Sequence, residues 1–370
     1  MSDVAEPLSV VLAGGGTAGH VNPLLSLADA LRRRDPLTRV TVLGTAEGLE
    51  ARLVPERGYE LVTVPKAPLP RRPNRAVLAF PGALRGSIRT AGQALQEVRA
   101  DVVVGFGGYV STPAYLAARR HGVPIVIHEQ NARPGLANRL GARLTPHVAT
   151  TFRGSNLSHG QWVGMPLRRE IAALDRSSSR AAGMGYFGLD PDLRTVLIFG
   201  GSLGAQRLND AFSAAGEDFA AAGVQVLHLT GAGKEVSIHR GAFEDSTVRY
   251  VAQPYTDRMD LAYAVADLAV CRSGAGTVCE LAAVGLPAIY VPLPIGNGEQ
   301  RLNAAEVVAA GGGLLVDDGD VTPDWVRGTV LPLMASDESL RSMSRAAAAA
   351  GQRDADETLV DLVESAVGRR

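Results

Sequence analysis

Short apolar runs alternate with helix-like segments along the whole chain. The first half contains "LSVVLA", "RVTVLG", "YELVTV", "DVVVGFGG" and "VPIVIHE", and the second half contains "TVLIFGG", "VQVLHLTG", "VRYVAQ", "DLAVCRSG", "PAIYVPLP" and "GLLVDD". Continuous apolar runs separated by helices are typical of parallel strands that are buried on both faces. The pattern predicts an α/β protein with two consecutive doubly wound parallel sheets.

The division between the two sheets is predicted near Pro166. Beyond it, residues 171–192 are polar and contain Ser, Gly and Asp, which is typical of a domain linker or a short linking helix. The stretch "RAAAAAG" and the final "ADETLVDLVESAVGRR" are predicted to be helices. We therefore expect a first domain over 1–166, a second over 167–350, and a C-terminal helix within 351–370 that packs back on the first domain.

Composition indicates a globular protein, because 46% of the 370 residues are hydrophobic and 20% are charged. Asp3 and Glu6 stand where a secretory signal needs positive charge. No apolar run reaches the ~20 residues of a membrane helix, so any contact with a bilayer is expected to be peripheral. Cys271 and Cys279 are too few for a disulfide framework, which favours a cytosolic chain.

The net charge of −1 conceals an asymmetry between the two halves. Residues 1–170 hold 21 Lys and Arg against 12 Asp and Glu, whereas the remainder holds 16 against 26. A basic half in a nearly neutral protein suggests an anionic surface or substrate, such as a phosphate-bearing lipid or a nucleic acid. Solvated surface arginines are the alternative interpretation.

The first glycine turn, "GGGTAGHVNP", has Gly14, Gly16 and Gly19 at the spacing of a dinucleotide-binding turn. Asn22 as N-cap and Pro23 at the first helical position predict a helix that starts after the glycines. The second strand then ends at Gly44 and Thr45 without the acidic residue that would hold a ribose, and Glu47 comes later than expected. We therefore expect no NAD.

What remains at this turn is a cluster of backbone N–H groups for an anionic or hydroxyl-bearing ligand, with His20 at its edge. That histidine is placed to accept a proton near neutral pH, and a capping or packing histidine is the alternative. A second turn, "GFGGYVSTP", and the run from His128 to Asn131 also follow strands at their carboxyl ends, where open α/β sheets bind ligands. A metal site is not expected there, because no second histidine or carboxylate pair stands at ligand spacing.

The second half carries two further glycine turns. In "GGSLGAQRLND" a strand is followed by Gly200, Gly201, Ser202 and Gly204, and "CRSGAGTVCE" places small residues before Glu280 on the first turns of a helix. Small residues let a backbone approach a diphosphate closely. A carboxylate one turn further along the helix can accept hydrogen bonds from the two hydroxyls of a ribose. This combination favours a nucleotide diphosphate bound without a metal. A simple capping turn with a surface Glu is the alternative.

These motifs, together with "HEQN", "VGMPLR" and "EQRLNA", occur in an order that resembles the bacterial glycosyltransferases that build the lipid-linked peptidoglycan precursor. The resemblance covers nearly the whole chain. It implies two facing Rossmann-like domains with parallel sheets, the GT-B arrangement, with the donor site in the cleft. It also implies an inverting transfer of GlcNAc from UDP-GlcNAc to the C4 hydroxyl of the MurNAc of lipid I, giving lipid II, without a cofactor.

The resemblance also implies roles for individual residues. His20 and Glu129 are the implied catalytic residues. The residues implied to bind UDP-GlcNAc are Thr17, Ala18, Gly19, Asn131, Arg168, Ser202, Thr256, Ala275, Gly276, Thr277, Val278, Cys279, Glu280 and Gln300. Gly16, Tyr109 and Asn138 are implied to line the acceptor side. Cys279 stands where the family has Ser, Gly276 replaces a bulkier residue, and "PLPIGNGEQ" lacks a His found in some members.

The resemblance implies that the basic first half of the chain binds an anionic membrane surface. Residues 65–89 combine basic and apolar side chains, which suits attachment to an anionic membrane surface. The residues concerned are Arg71, Arg72, Arg75, Arg85 and Arg89 with Leu78, Phe80, Leu84 and Ile88. We therefore expect a peripheral protein on the cytoplasmic side of the cell membrane, with cell-wall and division machinery as partners and no nucleic acid. A mobile Pro-rich loop is the alternative.

Two other functions are consistent with the same motifs. A UDP-sugar 2-epimerase would share the two-domain plan and would interconvert the GlcNAc and mannose epimers. A catalytically silent nucleotide-sugar sensor would bind UDP-GlcNAc and turn nothing over. Transfer of label from UDP-GlcNAc to a lipid separates the transferase from both.

Overall fold

The computed structural model describes residues 7–66, 76–201, 204–238, 240–243, 247–295 and 297–368. The chain forms two compact units. The first comprises the chain up to Arg168 together with the segment from Asp354 onward, and the second comprises Arg169–Arg353. The second unit is thus one continuous segment that lies, along the chain, between the two segments of the first.

The first unit contains a seven-stranded parallel sheet in the order β3-β2-β1-β4-β5-β6-β7. Its strands are β1 (Ser9–Ala13), β2 (Arg39–Gly44), β3 (Glu60–Thr63), β4 (Val102–Gly105), β5 (Ile125–Glu129), β6 (Val148–Thr150) and β7 (Gly160–Trp162). The helices before the second unit are α1 (Ala18–Arg34), α2 (Glu50–Glu56), α3 (Ala76–Glu97), α4 (Gly108–His121) and α5 (Leu136–Gly141).

The second unit contains a six-stranded parallel sheet in the order β10-β9-β8-β11-β12-β13. Its strands are β8 (Arg194–Phe199), β9 (Val224–Leu229), β10 (Tyr250–Gln253), β11 (Leu268–Cys271), β12 (Ala288–Tyr290) and β13 (Gly313–Leu315). Its helices are α6 (Arg169–Ala172), α7 (Arg176–Phe187), α8 (Gln206–Ala214), α9 (Gly216–Ala221), α10 (Met259–Val265), α11 (Ala275–Ala283), α12 (Glu299–Ala309), α13 (Pro323–Trp325), α14 (Leu331–Ala335) and α15 (Asp337–Ala350). The predicted pair of doubly wound parallel sheets is therefore confirmed.

Both faces of the first sheet are buried, as continuous apolar strands require. Along β1, Val10 and Leu12 belong to one hydrophobic cluster, whereas Val11 and Ala13 belong to another. Strand β4 divides in the same way, with Val104 in the first cluster and Val103 in the second. Successive side chains point to opposite faces of a strand, so each cluster is the core on one side of the sheet.

The last helix, α16 (Ala355–Ala366), packs against α1 in the first unit. Three of its residues are fully buried in the hydrophobic cluster that contains Val10 and Leu12 of β1: Leu359, Val360 and Val363. Arg33 forms a 2.6 Å ion pair with Asp356 at the junction of the two helices. The chain end is thereby held to the first unit by apolar burial and by charge.

Two local predictions differ from the structure. Residues 171–192, predicted to link the domains, contain α7, which packs against α10 inside the second unit. Arg176 explains this placement, because its guanidinium donates to the backbone carbonyls of Tyr263 (2.9 Å) and Gly285 (3.1 Å). Strands β6 and β7 were not predicted, since each has only three residues and too few apolar positions for a pattern to appear.

Candidate active site

Two glycine turns of the first unit lie side by side, because β1 and β4 are neighbours in the sheet. Gly107 and Gly108, which follow β4, have φ angles of 85° and 80°. A Cβ on Gly108 would lie 2.8 Å from the carbonyl oxygen of Gly15, and one on Gly107 would lie 3.3 Å from Nε2 of His20. Glycine is therefore required at both positions, and the turns pack backbone to backbone.

Helix α1 begins at Ala18 rather than after Asn22, so the predicted N-cap at Asn22 is wrong. Thr17 is the N-cap residue in extended conformation, and Pro23 lies inside the helix. The glycines allow the chain to turn directly from β1 into α1, and a proline in the second turn removes only one backbone N–H donor. Gly19 thus lies in the first helical turn, as in a dinucleotide-binding turn.

The predicted helix start after the glycines, one of the two sequence arguments against a dinucleotide, is therefore lost. The other holds, since β2 ends at Gly44 and is followed by Thr45, with no carboxylate at its last position. The structure also places a carboxylate of the protein itself against the first glycine turn. It belongs to Glu50, the first residue of α2, which the sequence motifs did not indicate.

The Glu50 side chain is fully buried behind the turn. Its Oε2 accepts a 2.8 Å hydrogen bond from the Gly16 N–H. Its Oε1 accepts one from the Thr45 N–H (2.9 Å) and one from the Thr45 hydroxyl (2.7 Å). Burial by itself would raise the pKa of Glu50, but these hydrogen bonds outweigh it and hold the pKa below its ordinary value. Glu50 is thus a buried, ionised group.

His20 stands on the first turn of α1, half-buried at the edge of the sheet. Its Nδ1 lies 3.0 Å from the Thr17 hydroxyl. Burial lowers the pKa of His20, and the Gly15 carbonyl and the Glu50 charge oppose this shift without reversing it. The imidazole is therefore neutral near pH 7 and can accept a proton.

Glu129, the second predicted catalytic residue, ends β5 and is 2% exposed. Its Oε1 accepts from the Asn131 N–H at 3.0 Å, and its Oε2 accepts from the Gly135 N–H at 3.0 Å and from Nδ2 of Asn138 at 3.0 Å. Burial raises the pKa of Glu129, and these hydrogen bonds oppose that effect. The carboxylate is directed at its own loop and fixes residues 131–135.

Asn138 is also buried, at 1% exposure. Its Oδ1 accepts a 2.8 Å hydrogen bond from the Tyr115 hydroxyl, while its Nδ2 donates to the His128 carbonyl at 3.2 Å. His128 itself is buried, and burial lowers its pKa to about 4. This group forms an internal scaffold beneath the edge of the sheet. The exposed residues of the predicted set at this edge are Gly16, Thr17, Gly19 and Tyr109.

In the second unit, the turn after β8 is also built on close backbone approach. A Cβ on Gly204 would overlap the Thr230 carbonyl, and one on Gly200 would overlap the Ala205 N–H. Gly201 and Gly204 have φ angles of 82° and 66°. Ser202, predicted to contact the donor, lies outside the described residues.

Helix α11 presents its N-terminus at the carboxyl end of β11. Gly274 is its N-cap residue in extended conformation, and the predicted run Ala275–Glu280 forms its first turns. A Cβ on Gly276 would meet no atom within 4 Å, so open space lies over this position. The N–H groups of a first helical turn and the helix dipole favour an anion such as a diphosphate.

Glu280 lies one turn into α11, where it meets a residue that the sequence did not indicate. The hydroxyl of Tyr263 donates a 2.7 Å hydrogen bond to Oε2 of Glu280. Tyr263 lies on α10 and is 1% exposed. In the sequence it stands in the apolar stretch "LAYAVADLAV", which predicts core packing and gives no sign of this contact.

The remaining predicted donor residues occupy different environments. Thr256 is 5% exposed, and its hydroxyl accepts from the Arg258 N–H at 3.1 Å. Gln300 is the second residue of α12, and its Oε1 accepts from the Leu293 N–H at 2.9 Å. Burial raises the pKa of the Cys279 thiol, so this group is protonated near neutral pH. Arg168 is half-buried at the end of the first unit rather than in the second.

An ion pair braces the loops around α11. Arg272, directly after β11, donates to the carbonyls of Val291 (3.1 Å) and Pro292 (3.2 Å). Its Nη2 approaches Oδ1 of Asp318 to 2.6 Å, and Nε of Arg207 donates to the other carboxylate oxygen at 2.9 Å. Both Arg272 and Asp318 have side chains that are 12% exposed. The ends of neighbouring strands are thereby held together.

A hollow of about 480 Å³ also lies at the β10 edge of the second sheet. Lys234, Arg249, Tyr250 and Pro254 are among its lining residues. None of the predicted donor residues lines it. We therefore place the candidate donor site at the start of α11 and not in this hollow.

Two parallel Rossmann-like sheets, each with glycine turns at the carboxyl ends of its strands, give the GT-B fold, and the family match makes the chain a glycosyltransferase. The glycosyltransferase family 28 N-terminal domain matches residues 10–150, and the C-terminal domain of the same family matches residues 195–359. The chain belongs to glycosyltransferase family 28.

Named relatives match the chain over nearly its full length. A UDP-N-acetylglucosamine–N-acetylmuramyl-(pentapeptide) pyrophosphoryl-undecaprenol N-acetylglucosamine transferase of Streptomyces avermitilis is 56% identical over 98% of this chain and 99% of the relative. The protein of the same name from a Nocardioides species is 56% identical over 96% and 97%. The crystal structure of Acinetobacter baumannii MurG matches with a TM-score of 0.78 and 28% identity, over 97% of this chain and 100% of that one.

A UDP co-structure of Staphylococcus aureus MnaA matches with a TM-score of 0.68 and 14% identity, over 98% of this chain and 97% of that one. At that identity the likeness concerns the fold alone. The predicted glycosyltransferase class is confirmed by the family match and by the named relatives.

Proposed function

We propose that this enzyme transfers GlcNAc from UDP-GlcNAc to the C4 hydroxyl of the MurNAc of lipid I, giving lipid II for peptidoglycan synthesis. The substrates are those in the names of relatives that are 56% identical over nearly the full length. The structural observation that carries the proposal is the start of α11, where open N–H groups precede a carboxylate held by Tyr263. This arrangement suits a nucleotide diphosphate.

The second unit is proposed to hold the nucleotide. The diphosphate would lie against the first turn of α11, and Glu280 would accept hydrogen bonds from the ribose hydroxyls. Thr256, Gln300, Ser202 and Arg168 would complete the nucleotide contacts. Thr17, Ala18, Gly19 and Asn131 of the first unit are assigned to the sugar.

His20 is proposed as the general base. Its neutral imidazole would take the proton of the C4 hydroxyl while that oxygen forms a bond to the anomeric carbon of GlcNAc. The bond from the anomeric carbon to the phosphate oxygen breaks, and UDP leaves with the electron pair, so the configuration inverts. The N–H groups of α11 would stabilise the negative charge that develops on UDP. Glu129 is proposed to position residues 131–135, since its oxygens accept from that loop.

Attachment to the cytoplasmic face of the membrane is proposed to use the basic and apolar segment of residues 65–89. Arg85 and Arg89 are exposed on α3, with Leu84 and Ile88 half-buried beside them. Arg71, Arg72 and Arg75 lie outside the described residues, as does the side chain of Leu78. No helix in the described ranges is long and apolar enough to cross a bilayer. Cell-wall and division proteins are proposed as partners at that surface.

The proposal is tested by incubating the purified protein with labelled UDP-GlcNAc and a short-chain lipid I analogue, with and without EDTA. We expect labelled lipid in both reactions, with release of UDP. Appearance of the mannose epimer without labelled lipid would indicate an epimerase. Binding of UDP-GlcNAc with no product at all would indicate a sensor.

A further inference from the structure

We propose that Glu50 is a positioning residue of this site: its buried carboxylate accepts the Gly16 N–H of the first glycine turn and thereby holds His20 in place. The inference rests on the proposed function, in which His20 is the base. It assigns the Gly16 N–H to an anion of the protein, so that this donor is not available to a phosphate.

The contacts form a continuous chain from Glu50 to the imidazole. Oε2 of Glu50 accepts from the Gly16 N–H at 2.8 Å. The residues on either side of Gly16 both act on His20, because the Gly15 carbonyl raises the pKa of the imidazole and the Thr17 hydroxyl lies 3.0 Å from Nδ1. A displacement of the Gly16 peptide therefore moves both of these groups relative to the histidine.

Three glycines surround the carboxylate and leave it no alternative position. A Cβ on Gly15 or on Gly48 would overlap the carboxylate itself, and one on Gly44 would lie 2.5 Å from Cγ of Glu50. Glycine at these positions creates the space that Glu50 occupies. The backbone of the first glycine turn and of the segment after β2 therefore packs directly against the Glu50 side chain.

The negative charge matters as well as the shape. Three donors, two N–H groups and one hydroxyl, converge on the two carboxylate oxygens. A glutamine would present its NH₂ group to at least one of these donors and lose that hydrogen bond. The charge also acts on His20 directly and raises the pKa of the imidazole against the effect of burial.

Among the residues that the structure describes, the other groups found to contact or act on His20 carry no charge. They are the Thr17 hydroxyl, the Gly15 carbonyl and the backbone of Gly107, and a Cβ on Gly107 would lie 3.4 Å from the Asn138 amide. Glu129 hydrogen-bonds the far side of that amide. Glu50 is thus the charged group that acts on the imidazole of His20.

The test compares Glu50→Gln with Glu47→Gln, a change of equal charge at a residue that is 73% exposed and pairs with Lys66. We measure kcat for transfer, the dissociation constant of UDP, and the pH titration of the His20 ring by NMR, with the resonance assigned from a His20→Asn spectrum. We expect Glu50→Gln to lower kcat by about 10–100-fold, the scale of a displaced catalytic group, with UDP affinity unchanged. The His20 titration should move to lower pH, and Glu47→Gln should change none of the three quantities.

The inference is overturned if Glu50→Gln keeps kcat within about twofold of wild type, or if kcat falls while the His20 titration stays where it is. Thr45→Val covers the case in which Glu50→Gln does not fold, since it removes only the hydroxyl donor to Oε1. We expect a loss of about threefold or more in kcat, and unchanged kcat would also overturn the inference. The titration needs no substrate, so absence of transfer by the wild-type protein would refute the proposed function, while the effect of Glu50 on His20 could still be measured by the titration.

Discussion

The Tyr263 hydroxyl and Oε2 of Glu280 are joined by a 2.7 Å hydrogen bond between α10 and α11. Tyr263 is buried, so its own position is fixed by packing. The bond fixes the direction of the carboxylate before any ligand arrives, which reduces the entropy lost when a ribose binds. Glu280 and Tyr263 are therefore expected to act on affinity for the nucleotide.

Glu280→Ala should weaken UDP binding by roughly 1.5–3 kcal/mol, the range of a hydrogen bond to a charged group. Tyr263→Phe removes only the hydroxyl and should weaken binding by about 0.5–1.5 kcal/mol. Titration calorimetry with UDP measures both changes, with Glu338→Ala on the exposed face of α15 as control. Unchanged UDP affinity in Glu280→Ala would refute the ribose assignment.

His20→Ala should lower kcat by about 10²–10⁴-fold, the contribution of a positioned general base, with little change in KM for UDP-GlcNAc. Because burial lowers the pKa of His20 below 6.5, wild-type kcat should be level above neutrality and fall as the pH drops through that pKa. This limb should vanish in the variant. A variant that retains most of its kcat would make the histidine structural and Glu129 the next candidate base.

Leu359→Ala should destabilise the first unit by about 2–5 kcal/mol, because Leu359 is fully buried where α16 meets the core. Asp361→Ala, on the exposed side of the same helix, removes an ion pair with Arg34 and should cost about 0–1 kcal/mol. Urea unfolding followed by circular dichroism compares the two. Equal effects would contradict the prediction that apolar burial contributes more than charge to holding α16.

Replacing Arg85 and Arg89 together by Ser should weaken binding to anionic vesicles by roughly 1 kcal/mol per arginine, while turnover of a water-soluble acceptor analogue is retained. The matched control replaces Arg341 and Arg345, which are exposed on α15 of the second unit. Vesicle co-sedimentation at physiological salt gives the comparison. Equal losses in the two double variants would mean that net charge, and not this surface, drives attachment.

Much of the fold follows from the sequence because continuous apolar runs mark buried parallel strands, as β1, β4 and β8 illustrate. The start of α1 was mispredicted, since Pro23 favours a first helical position but three glycines already allow the turn before it. Glu50 and Tyr263 were not predicted to belong to the sites. Glu50 accepts a hydrogen bond from the N–H of Gly16, which lies 34 residues earlier in the sequence. Only the packing of α2 against the sheet brings the two residues together.

The central claim is that the first glycine turn serves the acceptor and sugar transfer, while the second unit holds the nucleotide. Gly19→Val tests it most directly, because Gly19 is exposed in the first turn of α1 and a Cβ there would meet only the Thr17 hydroxyl, at 3.7 Å. Gly185→Val, at another exposed helical glycine with open space around it, is the control. We predict that the wild-type protein does not bind NAD at millimolar concentration. We also predict that Gly19→Val binds UDP with wild-type affinity and loses transfer, whereas the control keeps both UDP binding and transfer. Loss of UDP binding by a folded Gly19→Val variant would contradict the account and place the nucleotide on the first unit.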